Sequence, residues 1–310
     1  MSAEDMTQQC VPRYVIGEPG RAAALVVPRP SADLWGRKDT VLDGFQVDSP
    51  NGAALAYVRA ASVRGLSHRA YAKVRQDAYG VRVTGDGRYL VVAVADGLSA
   101  GALSHVAADT AVNRGIRRLN ALLTGADQAA VEWAPFFRDL AADVERDCRD
   151  DLFDRGVADA NSRTLPEIAA TMATTVSFAV LDLIPFDSGH RVVMGTVGDT
   201  SVWVLGDGGW QPTQPVKNDG ADLHSSATHA LPLPAEPVRA AGWVRPGEAL
   251  VVMTDGVGDP LGHGTGEVGA RLAQLWRTPP HELEFTAQVG FARKTYDDDR
   301  TVVAVWPARG

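Results

Sequence analysis

Cysteine is scarce in this chain, basic residues are outnumbered by acidic ones, and no long apolar run occurs; each shortage removes a class of protein. Its 310 residues include only two cysteines, Cys10 and Cys148. Their spacing matches no zinc or redox motif, so a disulfide framework is not expected and a reducing compartment is. No stretch approaches the roughly eighteen consecutive apolar residues that a membrane-spanning helix needs. Lys and Arg total 30 against 38 Asp and Glu, for a net charge of -8. That balance argues against nucleic acid or an anionic membrane as a partner, since both are held mainly by basic side chains. The opening MSAEDMTQQCVPRY is acidic and polar where a secretory signal would be basic and then apolar. The expected location is therefore the cytoplasm. No repeat with a period of about 20 to 50 residues is visible, which disfavours a solenoid or propeller.

What is present is ample apolar content for a core, in a chain long enough for one large domain or two small ones. Residues 1 to 52 carry Pro12, Pro19, Pro28, Pro30 and Pro50 with scattered glycines and no sustained period. They read as a lightly structured extension in which VIGEPG and ALVVP could each hold a short strand, and the folded domain is expected over 53–310. Strands are predicted over 54–63, 77–83 and 89–95, the last two joined through the hairpin turn Gly85-Asp86-Gly87. Two amphipathic helices follow. One carries Ala108, Val112, Ile116, Leu119 and Leu123 on its apolar face, and the other Phe136, Leu140, Val144, Cys148 and Leu152 after Pro135. Cys148 thus reads as a packed thiol rather than a reactive one. Further strands are expected over 174–183, 191–197, 201–205 and 249–253, with helices over 268–276 and 281–294 and a last strand after DDDRT. Residues 211–247, rich in proline, read as a long surface excursion.

The chain is organised around YLVVAVADGLSAG, residues 89–101. An uninterrupted apolar run is the pattern of a buried strand, and here it ends in Asp96-Gly97. A carboxylate delivered to the edge of a core is costly without a cation or several hydrogen-bond donors. ALVVMTDG repeats the device at Asp255-Gly256, and Asp77 and Asp298 stand at the predicted starts of other strands. Asp259 and Asp299 lie close by. Taken alone, Asp77 fits a turn and Asp297 to Asp299 fit a solvated charge run. Together, four strand-end carboxylates suit hard cations such as Mn2+ or Mg2+. Two such ions, about 3.5 to 4 Å apart, can clamp a phosphoryl group for in-line displacement.

VRQDAYG, VVAVADGLSAG, MATTVSFAVLD, VGDTSVWVL, VVMTDGVGD and DDDRTVVAV occur in this order. The ordered set resembles the metal-dependent protein phosphatases of the PP2C type, in their bacterial branch, over roughly residues 54–307. The resemblance implies an α+β fold, a four-layer α/β/β/α sandwich with two mainly antiparallel sheets. It implies hydrolysis of phosphoserine and phosphothreonine in proteins by a water that two ions activate. It makes Asp96 the shared catalytic ligand of both ions, adds the Gly97 carbonyl and Asp77, and gives Asp255 and Asp298 to the second ion. A phosphorylated protein, and a kinase whose action is reversed, are the implied partners.

The sequence also departs from that pattern. The arginine that commonly stands five residues before the first metal aspartate is Ala72, which leaves His68, Arg69, Lys73 and Arg75 as candidates to bind phosphate. The residue after the central Asp-Gly is Leu98, so proton donation to the leaving group falls to water. Ala170 occupies the position of a third-metal aspartate, against a third ion. Asp299 replaces the usual asparagine after Asp298, where its charge could tighten ion binding or raise the pKa of a neighbouring carboxylate. Two other readings stay open: a binding or sensing module of the same fold without turnover, and a phosphatase of a small metabolite.

Overall fold

The computed structural model describes residues 14–19, 37–187, 189–214 and 229–308. Eleven strands are present among them: β1 (Thr40–Asp48), β2 (Ala54–Val63), β3 (Ala78–Val83), β4 (Tyr89–Gly97), β5 (Thr174–Asp182), β6 (His190–Val197), β7 (Ser201–Gly206), β8 (Gly209–Pro212), β9 (Val238–Val244), β10 (Ala249–Met253) and β11 (Arg300–Pro307). The described α-helices are α1 (Leu66–Ala70), α2 (Ser104–Leu123), α3 (Trp133–Asp154), α4 (Leu165–Thr171), α5 (Asp255–Leu261), α6 (Glu267–Leu275) and α7 (Glu282–Val289). None is long and apolar enough to cross a membrane.

One sheet has the order β1-β2-β11-β10-β7-β8 and the other β3-β4-β5-β6-β9. Side-chain alternation along the strands generates four layers. In β4, Leu90, Val92 and Val94 meet Val58, Val252, Val303 and Val305 of the opposite sheet. The alternate residues Tyr89, Val91, Ala93 and Ala95 pack under α2 and α3. The other sheet repeats the arrangement. Val251, Met253, Val302, Ala304 and Trp306 turn outward to Leu272 and Phe285, from α6 and α7. The expected α/β/β/α sandwich is therefore the observed fold. Cys148 lies fully buried in the α2/α3 layer, and burial pushes its thiol up to about 12.

All pairings within both sheets are antiparallel, and this fixes where each strand end falls. The register Ala78↔Ala95 sets Asp77 beside Asp96. Gly97↔Thr174 and Val176↔Val197 bring the end of β6 to the same edge of the sandwich. There the chain crosses into the second sheet through Gly198-Asp199-Thr200. Met253↔Ser201 and Met253↔Val302 then carry the end of β10 and the start of β11 to that edge too.

Several sequence expectations need correction. β1 lies inside the stretch read as an extension and pairs with β2 along its length, so a boundary at residue 52 divides one sheet. Val15, in VIGEPG, makes an isolated parallel bridge with Ala292; ALVVP lies outside the described residues. The excursion at 211–247 contains β9, which pairs with β6, while 215–228 lie outside the described residues. The short helices α1, α4 and α5 have no counterpart among the sequence expectations, and α7 ends at Val289 rather than 294.

Candidate metal centre

At this shared edge the acidic side chains form two adjoining groups. Carboxylate oxygens of Asp96, Asp199 and Asp255 lie within 4.8 Å of one another, and the same limit holds for ligand atoms of His68, Asp298 and Asp299. Asp77 is almost wholly buried and is influenced by the charges of Asp298 and Asp299, as Asp96 is by those of Asp77, Asp255 and Asp298. All four predicted ligand aspartates thus share one electrostatic site, although they come from four distant segments.

Local chemistry holds three of them, Asp77, Asp96 and Asp298. The Thr254 hydroxyl, from the cap position of α5, donates to Asp77 Oδ2 at 2.9 Å. Its oxygen in turn accepts the Thr301 N–H at 3.0 Å, tying β10 to β11. Thr174 Oγ1 donates to the Asp96 carbonyl at 2.8 Å. Asp298 accepts its neighbour's N–H at 2.8 Å and the Ser99 hydroxyl at 3.2 Å. At Gly97 a Cβ would stand 2.7 Å from the Gln76 carbonyl oxygen and 2.9 Å from that of Ser104. Only glycine allows so close a backbone approach.

Burial and mutual repulsion raise the carboxyl pKa values. Desolvation pushes Asp77 and Asp96 well above the usual carboxylate range, and the surrounding aspartates add to it. Burial and the Asp199 charge push Asp255 up to about 7, even though a hydrogen bond with Asp96 opposes the rise. Asp298 is raised by burial and by Asp299. These groups cannot all ionise cheaply without compensating positive charge. Their oxygen-only donor set fits Mg2+ or Mn2+ and offers no thiolate to a softer metal.

Asp299 behaves differently from the other acids. Its Oδ1 accepts the Gly65 N–H at 2.6 Å, and its Oδ2 accepts the Gln76 N–H at 2.5 Å and meets His68 Nδ1 at 2.9 Å. Burial alone would raise it, but His68 and the two amides hold it below the usual range. Burial likewise works against a charged His68, and Asp299 outweighs it, holding the imidazole above the ordinary histidine value.

The four basic candidates separate clearly. His68 is buried against Asp299, and Arg75 is buried with its guanidinium on Ser62 Oγ at 2.5 Å and on the Asp77 carbonyl. Both side chains are turned inward, away from the surface. Arg69 donates to the Arg64 carbonyl at 3.0 Å and lies 3.7 Å from Asp39. Lys73 is exposed, and its Nζ donates to the Ser99 carbonyl at 3.0 Å.

A sequence profile described as protein phosphatase 2C matches residues 64–286, well over half the chain. The chain belongs to the protein phosphatase 2C family. Solved structures agree on the fold. A point mutant of a bacterial serine phosphatase is similar with a TM-score of 0.55 at 16% identity, covering 82% of this chain and 98% of that one. The catalytic domain of the serine/threonine phosphatase PstP, in complex with two manganese ions, matches with a TM-score of 0.50 at 16% identity over 82% of this chain and 99% of that one. Stp1 from Staphylococcus aureus gives 0.50 at 15% identity over 82% and 95%. No curated protein matches the sequence.

Within this protein phosphatase 2C domain, three groups escape a reading by sequence. Asp199 looks like turn chemistry until the crossing between sheets sets it beside Asp96 and Asp255. Thr254 is a helix-cap residue by type, a signal that does not reveal its bond to Asp77. Arg37 donates to the Asp77 carbonyl at 2.6 Å and to that of Arg75, and it pairs with Asp109. It comes from a segment with no sequence signal of its own.

Proposed function

We propose that this protein phosphatase 2C member hydrolyses phosphoserine and phosphothreonine in proteins, with Mn2+ or Mg2+ as cofactor. The observation that carries the reading is the convergence of Asp77, Asp96, Asp255 and Asp298 into one site whose pKa values are raised by burial and mutual repulsion. The two manganese ions of PstP, on the same fold, support two ions here. Asp77, Asp96, Asp255, Asp298 and the Gly97 carbonyl are the groups that would hold them, with Asp96 shared. Bound there, divalent cations supply charge to the phosphoryl oxygens and lower the pKa of an attacking water. The chain's own residues pre-set the site. Thr254 and Ser99 orient two carboxylates, Asp299 fixes the α1 turn against β11, and Gly97 lets backbone close in beside Asp96. No side-chain nucleophile, and so no covalent enzyme intermediate, is assigned. A phosphoprotein is the substrate class and an opposing kinase the partner, both on the strength of the family. Asp199 is a further candidate to share in cation binding.

A cation-loaded binding module without turnover is the second reading. Ala72, and Ala170 exposed on α4, favour it by removing the expected arginine and the third-metal carboxylate. Chelator-stripped protein re-supplied with Mn2+ and assayed on a phosphothreonine peptide separates the two. Cation-dependent phosphate release supports the enzyme. Folded protein that binds Mn2+ by calorimetry and releases none is the binding module.

A further inference from the structure

The geometry points to Lys73 as the cation that receives the substrate's phosphate, in place of an arginine at position 72. This rests on the phosphatase reading and names the group on its substrate side. A phosphate monoester carries a charge of nearly -2, and it must approach a site walled by carboxylates. A basic side chain at the rim favours that approach if it is accessible and not already neutralised by an acid.

Lys73 meets both conditions. It is exposed, and among the described residues its ammonium contacts a neutral carbonyl, that of Ser99, and forms no ion pair. The contrast with its neighbours is direct: Arg64 and Arg69 face Asp39, and Arg37 faces Asp109. The Ser99 hydroxyl donates to Asp298, so a single serine stands between the ammonium and a proposed metal ligand.

The backbone fixes this position independently. Helix α1 ends with Ala72 in the left-handed region at φ 56, and the Lys73 N–H donates to the His68 carbonyl at 2.9 Å. This is the six-to-one bond of a helix-terminating Schellman turn, whose left-handed residue is ordinarily glycine. His68 is itself locked to Asp299, so the Lys73 main chain is referenced to the residue next to Asp298. A non-glycine residue held in the left-handed region signals a turn whose shape is imposed by its surroundings.

Two measurements test this, one without turnover. Inorganic phosphate is titrated calorimetrically into Mg2+-loaded wild type, Lys73→Met, Lys73→Arg and Tyr71→Ala, the last altering an exposed side chain of the same turn. Kinetics on p-nitrophenyl phosphate at saturating Mn2+ run in parallel. Lys73→Met is expected to weaken phosphate affinity and raise KM about tenfold or more, as loss of a charged hydrogen bond does. The Mn2+ concentration giving half-maximal activity stays unchanged, Lys73→Arg recovers most of the loss, and Tyr71→Ala resembles wild type. Phosphate affinity within about twofold of wild type in Lys73→Met, or an equal loss in Tyr71→Ala, overturns the assignment. If the wild type binds phosphate but hydrolyses nothing, the phosphatase reading fails while the titration still decides the role of Lys73.

Discussion

His68 Nδ1 lies 2.9 Å from Asp299 Oδ2, and both groups are buried. This pair joins α1 to the start of β11 across 231 residues of sequence. Because Asp299 also accepts the main-chain N–H groups of Gly65 and Gln76, it clamps both ends of the segment that leads into Asp77. Removing it leaves the buried His68 imidazole and two buried amides without their partner. Asp299→Ala is expected to lower unfolding free energy by about 3 kcal/mol. The exposed neighbour change Asp297→Ala is expected to stay within about 0.5 kcal/mol. Urea denaturation of both variants checks the difference.

The pH response follows from carboxyl groups raised above their unfolded values. For Asp255, with a value of about 7 in the folded chain against an ordinary 3.8, protonation stabilises the cation-free fold. That contribution is fully present below the unfolded value and is lost as pH rises through about 7. Cation-free protein is therefore expected to lose stability on going from about pH 5 to about pH 8, and added Mn2+ to restore it most at the upper end. Protons and cations compete for the same oxygens, so Mn2+ affinity is expected to fall below about pH 7. Calorimetry in two buffers of different ionisation enthalpy reads the released protons directly.

Gly97 offers a purely steric test. A methyl group there would sit 2.7 Å and 2.9 Å from two backbone carbonyl oxygens, neither at the end of a flexible side chain. Gly97→Ala is expected to cost about 1 to 3 kcal/mol in stability and to weaken Mn2+ binding by displacing the strand end that carries Asp96. Thermal unfolding and Mn2+ titration of the same preparation check both effects. Unchanged values in both would mean that β4 yields at this point.

The buried frame was legible in the sequence because its strands bury both faces. β4 and β10 are continuous apolar runs, and their terminal Asp96 and Asp255 could be read as a pair. The edge strands were not legible. β1 and β9 leave most residues exposed or half-buried, so TVLDGFQVD and VRAAGWV carry too little apolar signal to stand out. The site divides in the same way. Asp77 and Asp298 gained meaning from strand order, whereas Asp199 depended on a crossing between sheets that local pattern does not encode. The basic residues were sorted only by burial: both are cations by composition, yet Arg75 holds a carbonyl inside the protein while Lys73 faces water. Asp299 read as an extra charge that could act on its neighbours. It does raise Asp77 and Asp298, but its main contacts are to backbone and to His68.

If Asp96 holds cations in the crowded carboxylate site, Asp96→Asn removes a ligand and a repelling charge in one step. Wild type and variant are compared for Mn2+ binding by calorimetry, for turnover of a phosphothreonine peptide, and for melting temperature without metal at about pH 8, where the carboxylates repel most. The variant is expected to lose turnover by about a hundredfold or more and to bind Mn2+ more weakly. Its cation-free form is expected to melt at or above the wild-type temperature, because one repelling charge is gone. Near-normal turnover with undiminished Mn2+ binding would mean that Asp96 holds no catalytic cation.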